Sequence, residues 1–335
     1  MSKVIIEKSY KSKLGLLETE IAIKDCKDIF ERELAKALNL TRVSAPLFVL
    51  PETGLNDDLN GYERPVSFDI HDLKKNVQIV QSLAKWKRNA LRRYGFSVGS
   101  GLYTDMNAIR RDEELDNFHS VYVDQWDWER IITRENRNMA FLKSIVKKIY
   151  KAICATQTKL MKKYPNLSNK LPKDIHFIKS TDLYKQYPDK TPKERETIAC
   201  KEFGAIFISQ IGWPIDGKDP HDGRAADYDD WKLNGDILVY FEPLDCALEL
   251  SSMGIRVDKD SLTSQIGFKK EYGKLSSPYS QDILNDKLPL TIGGGIGQSR
   301  LCMFMLNKMH VGEVQSSLWS DEDMELLTKN NIEIL

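Results

Sequence analysis

The stretch Thr291-Ile-Gly-Gly-Gly-Ile-Gly-Gln-Ser-Arg300 concentrates residue types suited to meeting an anion. Glycines let the backbone approach a ligand closely, and a helix amino terminus beside a guanidinium favours negative charge. An apolar strand (Leu288, Leu290, Ile292) leads into the glycines, and the apolar run from Leu301 to Leu306 predicts a helix after them. The spacing is not the dinucleotide fingerprint, because no acidic residue follows about 20 positions on. It is not a Walker loop either, since no Gly-Lys-Ser/Thr follows. A glycine turn packing a helix closely on a strand explains the same residues without a ligand.

Four other clusters carry possible chemistry. Ser82-Leu-Ala-Lys85-Trp86-Lys87-Arg88 crowds three cations onto the start of a helix, where a solvated face is the ordinary explanation. Gln125-Trp-Asp127-Trp-Glu129 alternates polar side chains, which on a strand share one face. Two tryptophans beside them suit a partly closed pocket, and a carboxylate there could bind an ammonium group. Asn234-Gly-Asp236 and Ala247-Leu-Glu249-Leu-Ser251-Ser252-Met-Gly-Ile-Arg256 set two acids on successive strands. Such acids repel unless a magnesium ion bridging phosphate oxygens, or a structural Lys or Arg, neutralises them. Arg110-Arg111-Asp-Glu-Glu is either a charged turn or a guanidinium set beside a phosphorus centre.

The elements that must position these groups follow from periodicity. Ile29, Phe30, Leu34, Ala37 and Leu38 predict a helix over 28–38, and Leu142 through Ile153 a long helix over 138–163 stopped by Pro165. Thr41 to Leu50 reads as an extended segment confined to an edge or interface by Pro46. A strand at 77–80 leads into a helix over 82–93, and Val121 and Val123 mark a strand ending near Gln125. Thr191-Pro192 and Gly204 bracket another helix. Asn234-Gly235 is a hairpin-turn signal leading into a strand over 236–240, with further strands at 246–251 and 288–292. The expectation is an α+β fold, a mostly antiparallel sheet flanked by helices, in one catalytic domain spanning residues 1–335.

The bulk numbers exclude several classes. Lys plus Arg and Asp plus Glu balance at 49 each, so no net field attracts nucleic acid or an anionic membrane. No apolar run nears the roughly 20 residues that span a bilayer. The start lacks the apolar length of a secretion signal. Five scattered cysteines form no Cys-x-x-Cys pair, which points to a reduced, cytoplasmic enzyme.

Arg110 with its acidic turn and strand, and the terminal Gly-Gly-Gly-Ile-Gly-Gln-Ser-Arg, resemble the second and third signatures of class II aminoacyl-tRNA synthetases. The segment from Leu40 to Pro46 resembles the first, the dimer element. Ser82-Leu-Ala-Lys-Trp-Lys-Arg, His119-Ser-Val-Tyr-Val-Asp-Gln-Trp-Asp-Trp-Glu-Arg, Arg224-Ala-Ala-Asp-Tyr-Asp-Asp-Trp, Asn234-Gly-Asp-Ile-Leu-Val and Glu249-Leu-Ser-Ser-Met-Gly-Ile-Arg resemble ammonia-dependent asparagine synthetase, the aspartate–ammonia ligase family. That resemblance runs from about residue 8 to the carboxy terminus and is loosest over 50–76.

The resemblance implies a class II synthetase-like homodimer that uses ATP and Mg2+. The implied reaction joins L-aspartate and ammonia into L-asparagine, with AMP and pyrophosphate, through a β-aspartyl-adenylate. By residue, it implies that Arg110 holds the α-phosphate, Arg300 grips the distal phosphates, and Asp236 and Glu249 lie near magnesium. Asp229, Ser251 and Gly295 fall at nucleotide positions. Ser82, Lys87, Gln125, Asp127, Ser252, Arg256 and Gln298 fall in the aspartate pocket, with Gln125 also in the catalytic set. Asp57, or its neighbour Asp58, falls near the reacting carboxylate as the base that deprotonates ammonium. A non-catalytic amino-acid or nucleotide sensor and an adenylating synthetase-like enzyme are the competing functions. No nucleic-acid or membrane partner is expected.

Overall fold

The computed structural model describes residues 2–335 apart from 60, 169, 216 and 218. The chain opens with α1 (Leu16–Leu38), β1 (Leu40–Arg42), β2 (Phe48–Val49), β3 (Ser67–Ile70), β4 (Lys75–Ile79) and α2 (Ala84–Arg93). A hairpin of β5 (Gly101–Ile109) and β6 (Tyr122–Ile131) precedes α3 (Met139–Lys163), β7 (His176–Lys179), α4 (Ser180–Gln186), α5 (Pro192–Phe203) and β8 (Ala205–Ser209). Then come β9 (Asp229–Phe241), β10 (Cys246–Arg256), α6 (Lys259–Lys269), α7 (Pro278–Leu284), β11 (Thr291–Gly297), α8 (Gln298–Met305) and α9 (Asp321–Lys329).

Eight strands form one large sheet in the order β1-β5-β6-β11-β10-β9-β8-β7, and β2-β4-β3 form a small one. The expected mostly antiparallel sheet is corrected to a mixed one. β1 runs parallel to β5, and β7 runs parallel to β8. In both places helical segments intervene, α2 before β5 and α4 with α5 before β8, and such crossovers are what parallel pairing requires. The predicted extended segment 41–50 is also divided. It breaks at Ala45-Pro46 into β1, at the edge of the large sheet, and β2 in the small one.

One face of the large sheet is apolar. Ile237, Val239, Met253, Ile255, Ile292, Ile296, Trp126 and Trp128 pack there against Ala22, Cys26, Phe30 and Leu34 of α1 and Leu142, Ile145, Val146 and Ile149 of α3. That packing extends α1 back to Leu16, well before the predicted start at residue 28. The two tryptophans expected to line a pocket therefore belong to the core. The side chains alternating with them, Gln125, Asp127 and Glu129, take the opposite face.

Two glycine signals have a different meaning from the one predicted. Asn234-Gly235 lies inside β9, whose turn to β10 comes later, at Glu242–Leu244. A Cβ on Gly235 would stand 2.3 Å from the Ile208 carbonyl oxygen, so close strand approach, rather than turn geometry, demands glycine. The predicted glycine loop at 293–297 is strand β11, and the helix begins only at Gln298.

Near the carboxy terminus His310 is fully buried against Trp319 and accepts a hydrogen bond from Gly312 N–H at 3.0 Å. Burial pushes its pKa from the usual 6.5 down to about 4, overriding nearby Asp323 and Asp116. The unfolded chain then binds this proton more readily, so the stability is intact above pH 6.5 and drains as pH falls toward 4. By about pH 5 this group alone should cost about 2 kcal/mol. Urea unfolding of His310→Asn, compared with the parent at about pH 7 and about pH 5, should lack that fraction of the acid loss.

Candidate active site

The polar face of the sheet is built in rows. Asn234, Gly254, Gly293 and Glu129 pair successively across β9, β10, β11 and β6, and Asp236, Ser252, Gly295 and Asp127 form the next row. The glycines act as a floor over which the β6 side chains lie. A Cβ at Gly293 would sit 2.0 Å from Glu129 Oε2, and one at Gly295 2.3 Å from Gln125 Oε1. A register shift between Glu249 and Ser251 sets Glu249 opposite Leu238, in line with Asp236. Alternation alone would have turned it away.

Over this floor stands a cleft of about 610 Å³ whose wall includes Asp57, Ser82, Lys87, Arg110, Gln125, Asp127, Asp229, Glu249, Ser252, Arg256, Gly295 and Arg300. The expected pocket residues thus come from α2 and the segment just before it, β6, β9, β10, β11, α8, the turn after β5 and the loop before β3. Asp57 is buried and lines the cleft, whereas Asp58 does not. That distinguishes the two acids the sequence left open.

The charges are dry and paired. Arg256 donates to Glu129 at 2.8–3.1 Å and also to Asp229, while Thr291 Oγ1 donates to Glu129 at 2.6 Å. Lys87 Nζ donates to Asp127 and, at 3.0 Å, to the Gly294 carbonyl. Burial drives the Lys87 pKa down despite Asp127. Burial would raise Glu129, but the Arg256 guanidinium overrides it and holds the carboxyl below its usual range. Asp229 is raised, burial outweighing the same arginine. Asp127 Oδ2 is buried with no partner, an acceptor left free for a donor.

The basic block on α2 is not a solvated face. Lys85 Nζ reaches Asp227 at 2.6 Å, and Arg88 donates to the carbonyls of Pro289 and Val257. These contacts lock α2 to the β9 and β11 approaches, so Lys87 is held over the floor.

A second set of charges faces the same cleft. Arg300 stands 3.6 Å from Glu249, and Arg224 is 2.7 Å from Asp236 and 2.8 Å from Asp222. Arg110 is half-buried, 3.8 Å from Glu113, and its Nε has no partner. Asp236 sits behind Arg224, outside the lining, with Oδ1 buried and unpartnered. Burial raises its pKa to about 8, against the pull of Arg224 and with the push of Glu249. Glu249 stays below its usual value because Arg300, Arg224 and Lys193 outweigh burial.

Residues 17–331 match the family model described as aspartate-ammonia ligase. An aspartate–ammonia ligase of Clostridium perfringens (strain 13) is 58% identical over 336 aligned positions, covering all of both chains. One from Lactiplantibacillus plantarum is 55% identical over 94% of this chain and 98% of its own. The chain belongs to the aspartate–ammonia ligase family. The fold is that of class II synthetase catalytic domains. Pyrococcus horikoshii asparaginyl-tRNA synthetase complexed with asparaginyl-adenylate aligns with TM-score 0.65 at 15% identity, over 90% of this chain and 70% of its own. The Entamoeba histolytica asparaginyl-tRNA synthetase complex aligns with TM-score 0.60 at 13% identity, and the chain spans 66% of its length.

Besides Asp236, two expected residues stand apart from the ligase cleft. Ser251 pairs with Ile237 and Ile296, whose side chains face the helical core, so its hydroxyl is turned from a nucleotide. The register shift that brings Glu249 to the cleft is the cause. Gln298 is outside the cleft wall and donates to Asp105 at 3.0 Å. Sequence reasoning gave no individual role to Arg224 or Tyr228, both of which line the cleft, and set Glu129 only on the polar face of its strand. The Arg224-Ala-Ala-Asp-Tyr block was the available signal, but pairing of Arg224 with Asp236 joins residues 12 apart across a loop.

The glycine floor is directly testable. An alanine methyl at Gly293 would also come within 2.7 Å of Arg256 Nη2, so the Arg256–Glu129 pair must shift. Gly293→Ala should lower aspartate-dependent ATP–pyrophosphate exchange by about 100-fold while circular dichroism stays native.

Proposed function

We propose that this aspartate–ammonia ligase works as one catalytic unit that activates the β-carboxylate of L-aspartate with ATP and then aminates it. The observation that carries this reading is the dry pairing of Lys87 with Asp127 and of Arg256 with Asp229 on a glycine floor. A zwitterionic amino acid entering there exchanges each pair for its own groups. Asp127 takes the α-ammonium, and Lys87 and Arg256 take the α-carboxylate. Ser82, Gln125 and Ser252 line the remaining wall and offer neutral hydrogen bonds.

Fixing both α-groups leaves the β-carboxylate as the free nucleophile, held near ATP. Its oxygen bonds to the α-phosphorus, the bond to the departing oxygen breaks, and pyrophosphate leaves. Arg110 stabilises charge developing at that phosphorus, and Arg300 holds the distal phosphates. Asp236 and Glu249 fit a Mg2+ site. They are two acids of one face, one with an orphaned buried oxygen, and magnesium needs few protein ligands once phosphates supply the rest. The ion supplies charge neutralisation at the phosphates.

In the second half-reaction ammonium gives one proton to Asp57, the nitrogen bonds to the acyl carbon, the bond from that carbon to the AMP oxygen breaks, and the second proton is lost from nitrogen to water as AMP leaves. Burial holds the Asp57 pKa above the ordinary carboxylate value, against the pull of Lys85, as a proton acceptor requires. A homodimer is supported by the small sheet, where Phe48 and Phe68 stay exposed, edge-to-face at 5.3 Å, beside exposed Leu47. Free cysteines suit a cytoplasmic setting, and no helix among the described residues is long and apolar enough to cross a membrane.

Incubation with ATP, Mg2+, L-aspartate and ammonium should yield AMP, pyrophosphate and asparagine without glutamine or tRNA. Arg110→Ala should lower pyrophosphate exchange by about 10²–10³ with native melting, and unchanged exchange would remove Arg110 from the phosphorus. Phe48→Asp should shift sedimentation from dimer to monomer.

A further inference from the structure

A second cavity, of about 320 Å³, adjoins the cleft at Asp57, which lines both. Asn56, Asp58, Gln78, Gln81, Lys85, Asp227, Lys274 and Ser277 complete its charged and polar lining. Four oxygens here are buried without a hydrogen-bond partner: Asp57 Oδ2, Asp58 Oδ1, Asp227 Oδ1 and Gln81 Oε1. Asp57, Gln81 and Asp227 are themselves 1–3% exposed. The remaining polar atoms are committed elsewhere. Lys85 holds the other oxygen of Asp227, Lys274 holds Asp58 Oδ2 at 2.9 Å, and Gln81 Nε2 donates to the Asp57 carbonyl at 2.9 Å.

The buried atoms left without a partner around this cavity are therefore all acceptors. It also lacks charge, for three carboxylates face two ammonium groups, and Glu271, 2.9 Å from Lys274, deepens the deficit. Leaving such oxygens unpaired in a buried site is unfavourable, because each has given up its water without gaining a donor. Water supplies two donors and no charge. A small cation with several donors meets both needs.

Resting on the ligase reading, we infer that this cavity binds ammonium as a cation and hands it to Asp57 from the side opposite aspartate and ATP. Gln81, Asp58 and Asp227 are its ligands before the proton is lost. Asp57 is the wall between the two compartments, so the nitrogen need not pass the bound nucleotide.

Gln81→Met keeps side-chain length but removes both the acceptor and the Nε2 donor to the Asp57 carbonyl, whereas Asp58→Asn removes only a charge at the cavity rim. Each should raise the ammonium KM about tenfold or more, the size of one lost charge-assisted contact, and leave aspartate-dependent pyrophosphate exchange unchanged. Hydroxylamine, uncharged at neutral pH, should form the hydroxamate with an unaltered KM. An unchanged ammonium KM in both variants, or an equal rise for hydroxylamine, would overturn the cation site. Rubidium soaked into crystals should give an anomalous peak among Asp57, Gln81 and Asp227, and its absence would overturn the site irrespective of how the variants fold. Loss of exchange in the unsubstituted enzyme would instead strike the ligase reading.

Discussion

The site depends on keeping opposite charges paired in a place without water. Lys87, Arg256, Asp127, Glu129 and Asp229 are all nearly inaccessible, and a buried ion deprived of its partner costs about 3–5 kcal/mol. Each therefore demands a counter-charge at contact distance, and contact distance demands space. Glycines on β11 provide it, because no side chain there competes with those reaching across from β6. The same pairs that make the empty site tolerable are the ones a zwitterion would replace, so recognition follows from the requirement of folding.

The rest of the architecture holds these groups at that spacing. α2 brings Lys87 over the floor because its neighbours Lys85 and Arg88 are anchored on either side of it. The register shift in β10 trades the side chain of Ser251 for that of Glu249 on the working face. Arg224 bridges the loop before β9 to Asp236, tying the acid that would face magnesium to the cleft wall.

Much of this was legible in the sequence, and the parts that were not share a cause. Period-two alternation in Gln125-Trp-Asp127-Trp-Glu129 gave the polar face, and Thr191-Pro192 with Gly204 gave the limits of α5, to which the structure adds a Thr191–Glu194 capping box. Local patterns fail where a distant strand decides. Asn234-Gly235 reads as a turn, but Ile208 and Phe207 press against it from β8. The glycines of β11 read as a loop cradling phosphate, yet it is Glu129 and Gln125, more than 160 residues earlier, that require them. Parallel edges, the buried state of the α2 cations and the separation of Asp57 from Asp58 likewise appear only in three dimensions.

The two faces of the large sheet answer to different demands. The side under α1 and α3 needs only apolar volume, which Val, Ile, Leu and Met supply almost interchangeably. The side above the floor needs particular charges at particular pairs. A lineage inheriting this sheet can rewrite its reagents by exchanging a few upward-facing residues, without rebuilding the foundation beneath. The asparaginyl-tRNA synthetase of Pyrococcus horikoshii carries the same fold at only 15% identity.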